Sequence, residues 1–309
     1  MTPDAKVFVA GARGLVGSAI VRALEARGYR RLLRPARSEL DLSDMVAVKR
    51  FFAAERPELV FLAAAKVGGI VANDTYPADF IYDNLAVQTN VIDAAYRHGV
   101  RKLCFLGSSC IYPRLAEQPI KESSLLTGPL EPTNEWYAIA KIAGIKMCQA
   151  YARQHGFNAI SVMPTNLYGP GDNFDLTTSH VLPALLRKLH TAKERGEATV
   201  TVWGSGTPRR EFLYVDDLAD ALCFLMERYD SPEIINVGCG EDITIAELAT
   251  LLAEIVGFRG ALSFDRSKPD GTPRKLLDVG KLHALGWRAK TSLADGVRAT
   301  YAWYRASAA

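Results

Sequence analysis

The sequence predicts an α/β protein, a doubly wound parallel sheet with a smaller C-terminal domain over its edge. Three observations carry that prediction. Short apolar runs alternate with helical patterns over residues 1–165, which is how parallel strands joined by crossover helices read. The first of those runs, Lys6–Ala10, passes directly into a glycine-rich turn and a helix. After Pro164 the texture becomes loop-like, with Gly, Pro, Asn and Asp gathered between Thr165 and Phe174.

Composition agrees with a globular chain. At 309 residues, 49% hydrophobic and 23% charged, there is material for one large domain or two ordinary ones around a sizeable core. A net charge of +3 gives no reason to expect nucleic acid or an anionic membrane as partner. No apolar run approaches the ~20 residues of a membrane span, and the N-terminus lacks the basic, apolar and small-residue regions of a signal peptide. Five scattered cysteines (Cys104, Cys110, Cys148, Cys223, Cys239) show neither a disulfide framework nor metal-ligand spacing. The expectation is a reducing cytoplasm and no metal.

Taken in order, Lys6–Ala10 reads as a buried strand. The turn Gly11-Ala12-Arg13-Gly14-Leu15-Val16-Gly17 has G-x-x-G-x-x-G spacing rather than G-x-G-x-x-G. Glycines there let backbone approach a pyrophosphate, and the helix that follows, Ser18 to Gly28, offers free N–H groups and a positive dipole end. The next strand lies near Arg31-Leu32-Leu33. An NAD site places Asp or Glu at that strand's end for the ribose 2′-hydroxyl. This chain has Arg34 and Arg37 there, and Arg13 in the glycine turn. Guanidinium groups suit a 2′-phosphate, so NADPH is expected over NADH. Asp41-Leu42 falls beside the adenine.

Leu59–Ala65 is a further strand, and the small residues of Lys66-Val67-Gly68-Gly69-Ile70 mark a close backbone approach. Phe80–His98 is a long amphipathic helix. Leu103–Leu106 runs into Gly107-Ser108-Ser109-Cys110-Ile111-Tyr112-Pro113. Ser108 and Cys110 therefore stand at a strand's carboxyl end, where open α/β sheets collect their chemistry. Ser161–Met163 is the next strand. Beyond it, His180–Glu194 is a helix with Pro183 in its first turn, and Val200–Trp203 alternates like a strand. Phe212–Tyr229 and Ile234–Val237 return to the first domain at about 211–240; Ile243–Val256 is a helix and Leu262–Phe264 a strand. The expected division is 1–165 for the cofactor and 166–309 mainly for substrate, with a ligand cleft between.

Tyr137 and Lys141 lie four residues apart in a helical stretch and so leave one face. A free tyrosine has a pKa near ~10, and a nearby ammonium lowers it. The pair reads as a proton donor for a carbonyl oxygen under reduction. Tyr-x-x-x-Lys also describes an ordinary surface helix; the glycine turn and Ser108 select the chemical reading.

Gly11, Gly14 and Gly17, Ser108 and Tyr137-x-x-x-Lys141 together resemble the extended short-chain dehydrogenase/reductases, a Rossmann-fold family. The segments Ala64–Tyr82, Gly107–Pro113, Glu131–Ile145, Ser161–Phe174, Val202–Phe212 and Ser267–Val279 resemble its GDP-L-fucose synthase branch. The most specific runs are Gly-Ser-Ser-Cys-Ile-Tyr-Pro, Met-Pro-Thr-Asn-Leu-Tyr-Gly-Pro and Lys-Pro-Asp-Gly-Thr-Pro-Arg-Lys. The resemblance implies an oxidoreductase and isomerase that epimerises GDP-4-keto-6-deoxy-D-mannose at C3 and C5 and then reduces C4. Tyr137, Lys141 and Ser108 match the reductase triad; Cys110 and His180 match the epimerisation base and acid. Lys188, Trp203, Arg210 and Asp270 match positions that hold the GDP-sugar. NADP(H) is the implied cofactor, held by Gly11, Ala12, Arg13, Gly14, Leu15, Val16, Gly17, Arg37, Asp41, Leu42, Leu106, Gly107, Lys141, Pro164, Asn166, Leu167 and His180. A homodimer is implied too, with Phe80–His98 and Tyr137–Gln154 as interface helices. Departures stand at Trp136, where a proline is common, at Lys188, an arginine in some members, and at Gly171 and Phe174–Thr178.

The residue types suit that chemistry. A C4 ketone acidifies the protons at C3 and C5, and inverting either centre needs a base on one face and an acid on the other. A free thiol titrates near ~8.5, so a thiol base needs help to become thiolate. Histidine, near ~6.5, is ready to return a proton. Ser108 and Tyr137 would hold the C4 oxygen through each enolate. Without the resemblance, Cys110 reads as a small buried residue and His180 as a structural helix-start histidine. His98, His155, His190 and His283 sit in surface-like helical stretches and are assigned nothing. The competing readings are a 4-epimerase, a 4,6-dehydratase, an epimerase-reductase for a dideoxy or heptose sugar, and a non-catalytic NADPH-binding sensor or scaffold. A dehydratase needs a carboxylate pair beside its tyrosine, and Gly107–Pro113 has none; a sensor typically loses the Tyr/Lys pair kept here.

Overall fold

The computed structural model describes residues 2–268 and 270–308; Pro269, inside the Lys268–Lys275 run, lies outside the described residues. Strand β1 (Val7–Ala10) leads into helix α1 (Leu15–Ala26), which starts ahead of Ser18 because Gly14 takes the N-cap position. β2 (Leu32–Leu33), α2 (Met45–Glu55) and β3 (Leu59–Leu62) follow. The Asp44 carboxylate caps α2 by accepting from the Val46 and Ala47 amides. After α3 (Ile70–Thr75), α4 (Pro77–Arg97) begins at a proline, whose missing N–H is harmless in a first turn. β4 (Lys102–Leu106), α5 (Glu135–His155) and β5 (Ala159–Pro164) complete the alternation.

Next come β6 (Asn166–Tyr168), α6 (Val181–Arg195), β7 (Thr199–Trp203), β8 (Arg209–Arg210), β9 (Phe212–Tyr214) and α7 (Val215–Arg228). β10 (Ile234–Val237) then pairs in parallel with β5 and completes a six-stranded sheet of order β10-β5-β4-β3-β1-β2. All its pairings are parallel. Because helices cover both faces, most of its strands are apolar without alternation. Val7, Val9, Leu59 and Phe61 pack under α1 and α7; Phe8, Val60, Leu62 and Phe105 pack under α2, α4 and α5. This is the doubly wound α/β sheet that the sequence predicts.

The remaining elements are β11 (Ile243–Thr244), α8 (Ile245–Val256), β12 (Ala261–Asp265), β13 (Arg274–Lys275), α9 (Gly280–Ala284) and α10 (Leu293–Ala308). Helix α8 starts two residues later than its apolar pattern because Thr244 and Glu247 form a capping box at its N-terminus. β6 pairs with β9, β7 with β12, and β8 with both β11 and β13. The stretch Thr165–Phe174 reads as loop from sequence but contains β6, because its partner β9 lies far along the chain. Leu186, Leu189, Leu248, Leu252 and Val297 form a third core among α6, α8 and α10. Between β8 and β9 the fully buried Glu211 accepts from Gly240 N (2.8 Å) and Leu277 N (3.0 Å), tying the ends of β10 and β13 to β8. Burial raises its pKa, against the hydrogen bonds that lower it.

Candidate active site

The carboxyl ends of the sheet strands open into a cleft of about 1610 Å³. Every site residue named above lines it except Arg34, which pairs with Glu25 (2.9 Å) and faces a separate small pocket beside Arg13 and Arg22. Arg13 and Arg37 are exposed and line the cleft, and no acid stands at the end of β2. Asp41 accepts from Ser43 N and Oγ, which lower its pKa.

The glycine turn has the shape a dinucleotide needs. Gly11 has φ +84°, and a Cβ there would sit 2.8 Å from the Ala64 backbone. A Cβ on Gly17 would meet Gly11 O at 2.0 Å, so α1 packs where only glycine fits. Gly14, the N-cap, has no such neighbour: its Cβ would meet only Gly11 O at 3.6 Å. It leaves an open approach to the free N–H groups of α1, the ordinary seat of a pyrophosphate.

Helix α5 brings Tyr137 and Lys141 to the end of β4. Gly144 lets it lie against the sheet, since a Cβ there would come within 2.4 Å of the Phe105 ring. Tyr137 is 9% exposed and Lys141 3%. Lys141 Nζ donates to Leu106 O (2.8 Å) and lies 5.8 Å from the centre of the Tyr137 ring. The expectation that this ammonium lowers the tyrosine pKa is overturned. Burial dominates and raises it, the nearby Cys110 adds to this, and only a hydrogen bond with Ser108 lowers it. Burial also lowers Lys141 to about 8. Burial therefore favours the protonated phenol.

Ser108 caps the turn after β4, accepting from Cys110 N at 3.2 Å. Cys110 Sγ receives Lys275 Nζ at 3.3 Å and Asn134 Nδ2 at 3.6 Å. His180 stands at the N-cap position of α6, its side chain making no cap hydrogen bond, and lines the cleft. Its pKa is lowered, first by the surrounding protein and then by Lys275. What Gly68-Gly69 passes close to is this same loop: Gly69 N donates to Thr178 O (3.0 Å), and a Cβ on Gly69 would meet Ser179 O at 2.7 Å.

On the far wall, Lys188 Nζ lies 4.8 Å from the exposed Trp203 ring and donates to Thr201 O. Lys268 covers the same ring at 5.6 Å. Arg210 donates to Arg209 O and Asp270 O. The Asp270 carboxylate accepts from Ser205 N (2.7 Å) and Ser205 Oγ (2.8 Å), so it shapes the Gly204–Gly206 turn from within. Among the histidines given no role, His190 is half-buried and tied to Tyr301 Oη (3.0 Å), while His155 is exposed and stacks on Tyr96.

Sequence reasoning missed Asn134, Lys275 and Asp172. The first two sit inside quoted motifs, yet nothing local aims them at Cys110. Asp172 lines the cleft with Oδ2 buried and unpartnered, and burial pushes its carboxyl up to about 7. A carboxyl pKa raised on folding contributes stability below pH ~4 that is lost as pH rises through 7. In urea titrations the stability of the wild type should therefore fall from pH 5 to pH 8 by on the order of 2 kcal/mol more than that of Asp172→Asn. Equal pH slopes for the two proteins would refute this.

Comparison with known proteins gives three kinds of match. Residues 7–238 fit the model of the NAD dependent epimerase/dehydratase family. The chain is 64% identical over 301 residues to GDP-L-fucose synthase 1 of Arabidopsis thaliana, covering 97% of this chain and 93% of that one. Among solved structures it resembles a GDP-L-fucose synthetase from Naegleria fowleri bound to NADP (TM-score 0.92, 31% identity, 100% and 96% of the two chains). It also resembles a GDP-6-OMe-4-keto-L-xylo-heptose reductase from Campylobacter jejuni (TM-score 0.94, 40% identity, 99% of each chain).

Proposed function

The chain belongs to the NAD dependent epimerase/dehydratase family, and we propose that it converts GDP-4-keto-6-deoxy-D-mannose to GDP-L-fucose by C3/C5 epimerisation followed by NADPH-dependent C4 reduction. The observation that carries this reading is the convergence of Cys110 and His180 on the cleft that also holds Ser108, Tyr137 and Lys141. A plain reductase needs only the last three.

In the epimerisation, Cys110 thiolate takes the proton from C3 or C5. The S–H bond forms as C–H breaks, and the electron pair moves onto the C4 oxygen. Ser108 Oγ and the Tyr137 phenol stabilise that oxygen by hydrogen bonds. His180 returns a proton to the opposite face of the carbon. NADPH, when bound, supplies the hydride for C4. Tyr137 gives its proton to the C4 oxygen, and its burial keeps that proton in place until the oxygen becomes basic. Lys141, with its ammonium 5.8 Å from the ring centre, offsets the charge left on the phenolate.

We place the enzyme in the cytoplasm as a homodimer. Among the described residues no helix is long and apolar enough to cross a membrane. Tyr82 on α4 and Trp136 and Ile139 on α5 are exposed apolar side chains on the two helices proposed to meet the partner.

The test mixes protein, GDP-4-keto-6-deoxy-D-mannose and NADPH, follows the reduced cofactor by absorbance and identifies the sugar. Stoichiometric oxidation with GDP-L-fucose as product is expected. Turnover only on a heptose or dideoxy substrate would replace the substrate while keeping the chemistry. Removing one guanidinium is a second test: Arg37→Ala should raise the KM for NADPH roughly 10-fold and leave that for NADH unchanged. Equal efficiency of the wild type with both nicotinamides would end the 2′-phosphate argument.

A further inference from the structure

We propose that Lys275 is the positioning residue of the epimerisation step, its ammonium holding the Cys110 sulfur as the charged base. The inference rests on the function proposed above. The two residues are 165 positions apart, and β13 brings them together by pairing in parallel with β8, Lys275 opposite Arg210. Glu211 N donates to Lys275 O at 3.3 Å and fixes the backbone from which the side chain departs. The ammonium ends 3.3 Å from Cys110 Sγ. Among the described residues no carboxylate forms an ion pair with it, so the sulfur is its one side-chain partner. A compact ammonium half removed from water gains most from an anion, and a Cys110 thiolate formed during the reaction would be one.

The other groups that face the sulfur do not compete for the role. Asn134 Nδ2 approaches it at 3.6 Å as a neutral donor from the start of α5. Arg210, which feels the Cys110 charge from β8, spends its guanidinium on the Arg209 and Asp270 carbonyls. Tyr137, from α5, is a neutral phenol. The same Lys275 charge also reaches His180 and adds to the desolvation that disfavours its imidazolium. Lys275 itself neither gains nor loses a proton when Cys110 takes one from carbon.

The test uses full-length protein with Lys275→Met and Lys275→Arg. The first readout is the rate at which iodoacetamide alkylates Cys110 at neutral pH with no sugar present, followed on the Cys110 peptide. The Met variant should react roughly 10-fold more slowly and the Arg variant should recover most of the loss. Solvent deuterium entry at C3 and C5 should fall in parallel, with the KM for the GDP-sugar nearly unchanged. Unaltered alkylation in Lys275→Met would overturn the proposal, and a raised KM alongside it would assign Lys275 to the substrate diphosphate. Slowed alkylation with no deuterium exchange even in the wild type would support the Lys275–Cys110 pair and sink the epimerase reading instead. NADPH binding by each variant reports that it is folded, and Lys275→Gln replaces the Met variant if that one is not.

Discussion

Replacing Tyr137 by phenylalanine should cut the rate of ketone reduction by roughly 10²–10⁴-fold, the usual worth of a positioned general acid. The change is clean because the ring is already accommodated. It lies edge-on to Phe80 with centroids 6.5 Å apart, and the variant deletes only the oxygen that bonds Ser108. Stability should therefore hold, and the KM for the sugar should move little. Deuterium exchange at C3 and C5 should survive in part, since Ser108 still holds the C4 oxygen through each enolate. Single-turnover oxidation of NADPH measures the first effect and proton NMR of the recovered sugar the second. Reduction within a few-fold of wild type would remove Tyr137 from its role and leave Ser108 as the remaining donor.

Cys110→Ser should have the complementary effect. Exchange at C3 and C5 should drop by roughly 10²–10⁴-fold, while reduction of the unepimerised ketone continues and yields a D-configured sugar. A serine hydroxyl is nearly the size of the thiol, so the half-buried site at the end of β4 keeps its shape. What it loses is the thiol itself: a thiol is far more acidic than an alcohol, so serine cannot supply a comparable base. Product analysis separates the outcomes. Full exchange and GDP-L-fucose from the serine variant would sink the assignment of Cys110 as base, and the inference about Lys275 with it.

The two predictions draw on different kinds of information. Ser108, Tyr137 and Lys141 lie on two short stretches, next to a strand end or on one helix face, and are legible from local spacing; the role of Cys110 came only from the family resemblance. The glycine turn is equally local: what makes Gly11 and Gly17 necessary is backbone within a few residues or on the adjacent strand. Buried strands show as apolar runs because both sheet faces are covered, and this reports burial without reporting partners. That is why β1, β3, β4, β5 and β10 were readable, while β6 and the short strands around Arg210 were not.

The sequence by itself determined the doubly wound sheet and offered the glycine turn and the side chains proposed to react. Only the tertiary structure decided their electrostatics. Arg34 went to Glu25, and the Asp270 carboxylate went to Ser205. Asp172 lost its water, and the Tyr137 pKa moved up where its neighbour in sequence argued for down. Lys275 met Cys110 only because β13 lies beside β8. Local periodicity registers one side chain's preference for water or core. The charge state of a group in a cleft instead sums desolvation and Coulomb contributions from every segment folded around it, and those segments are distant in the chain.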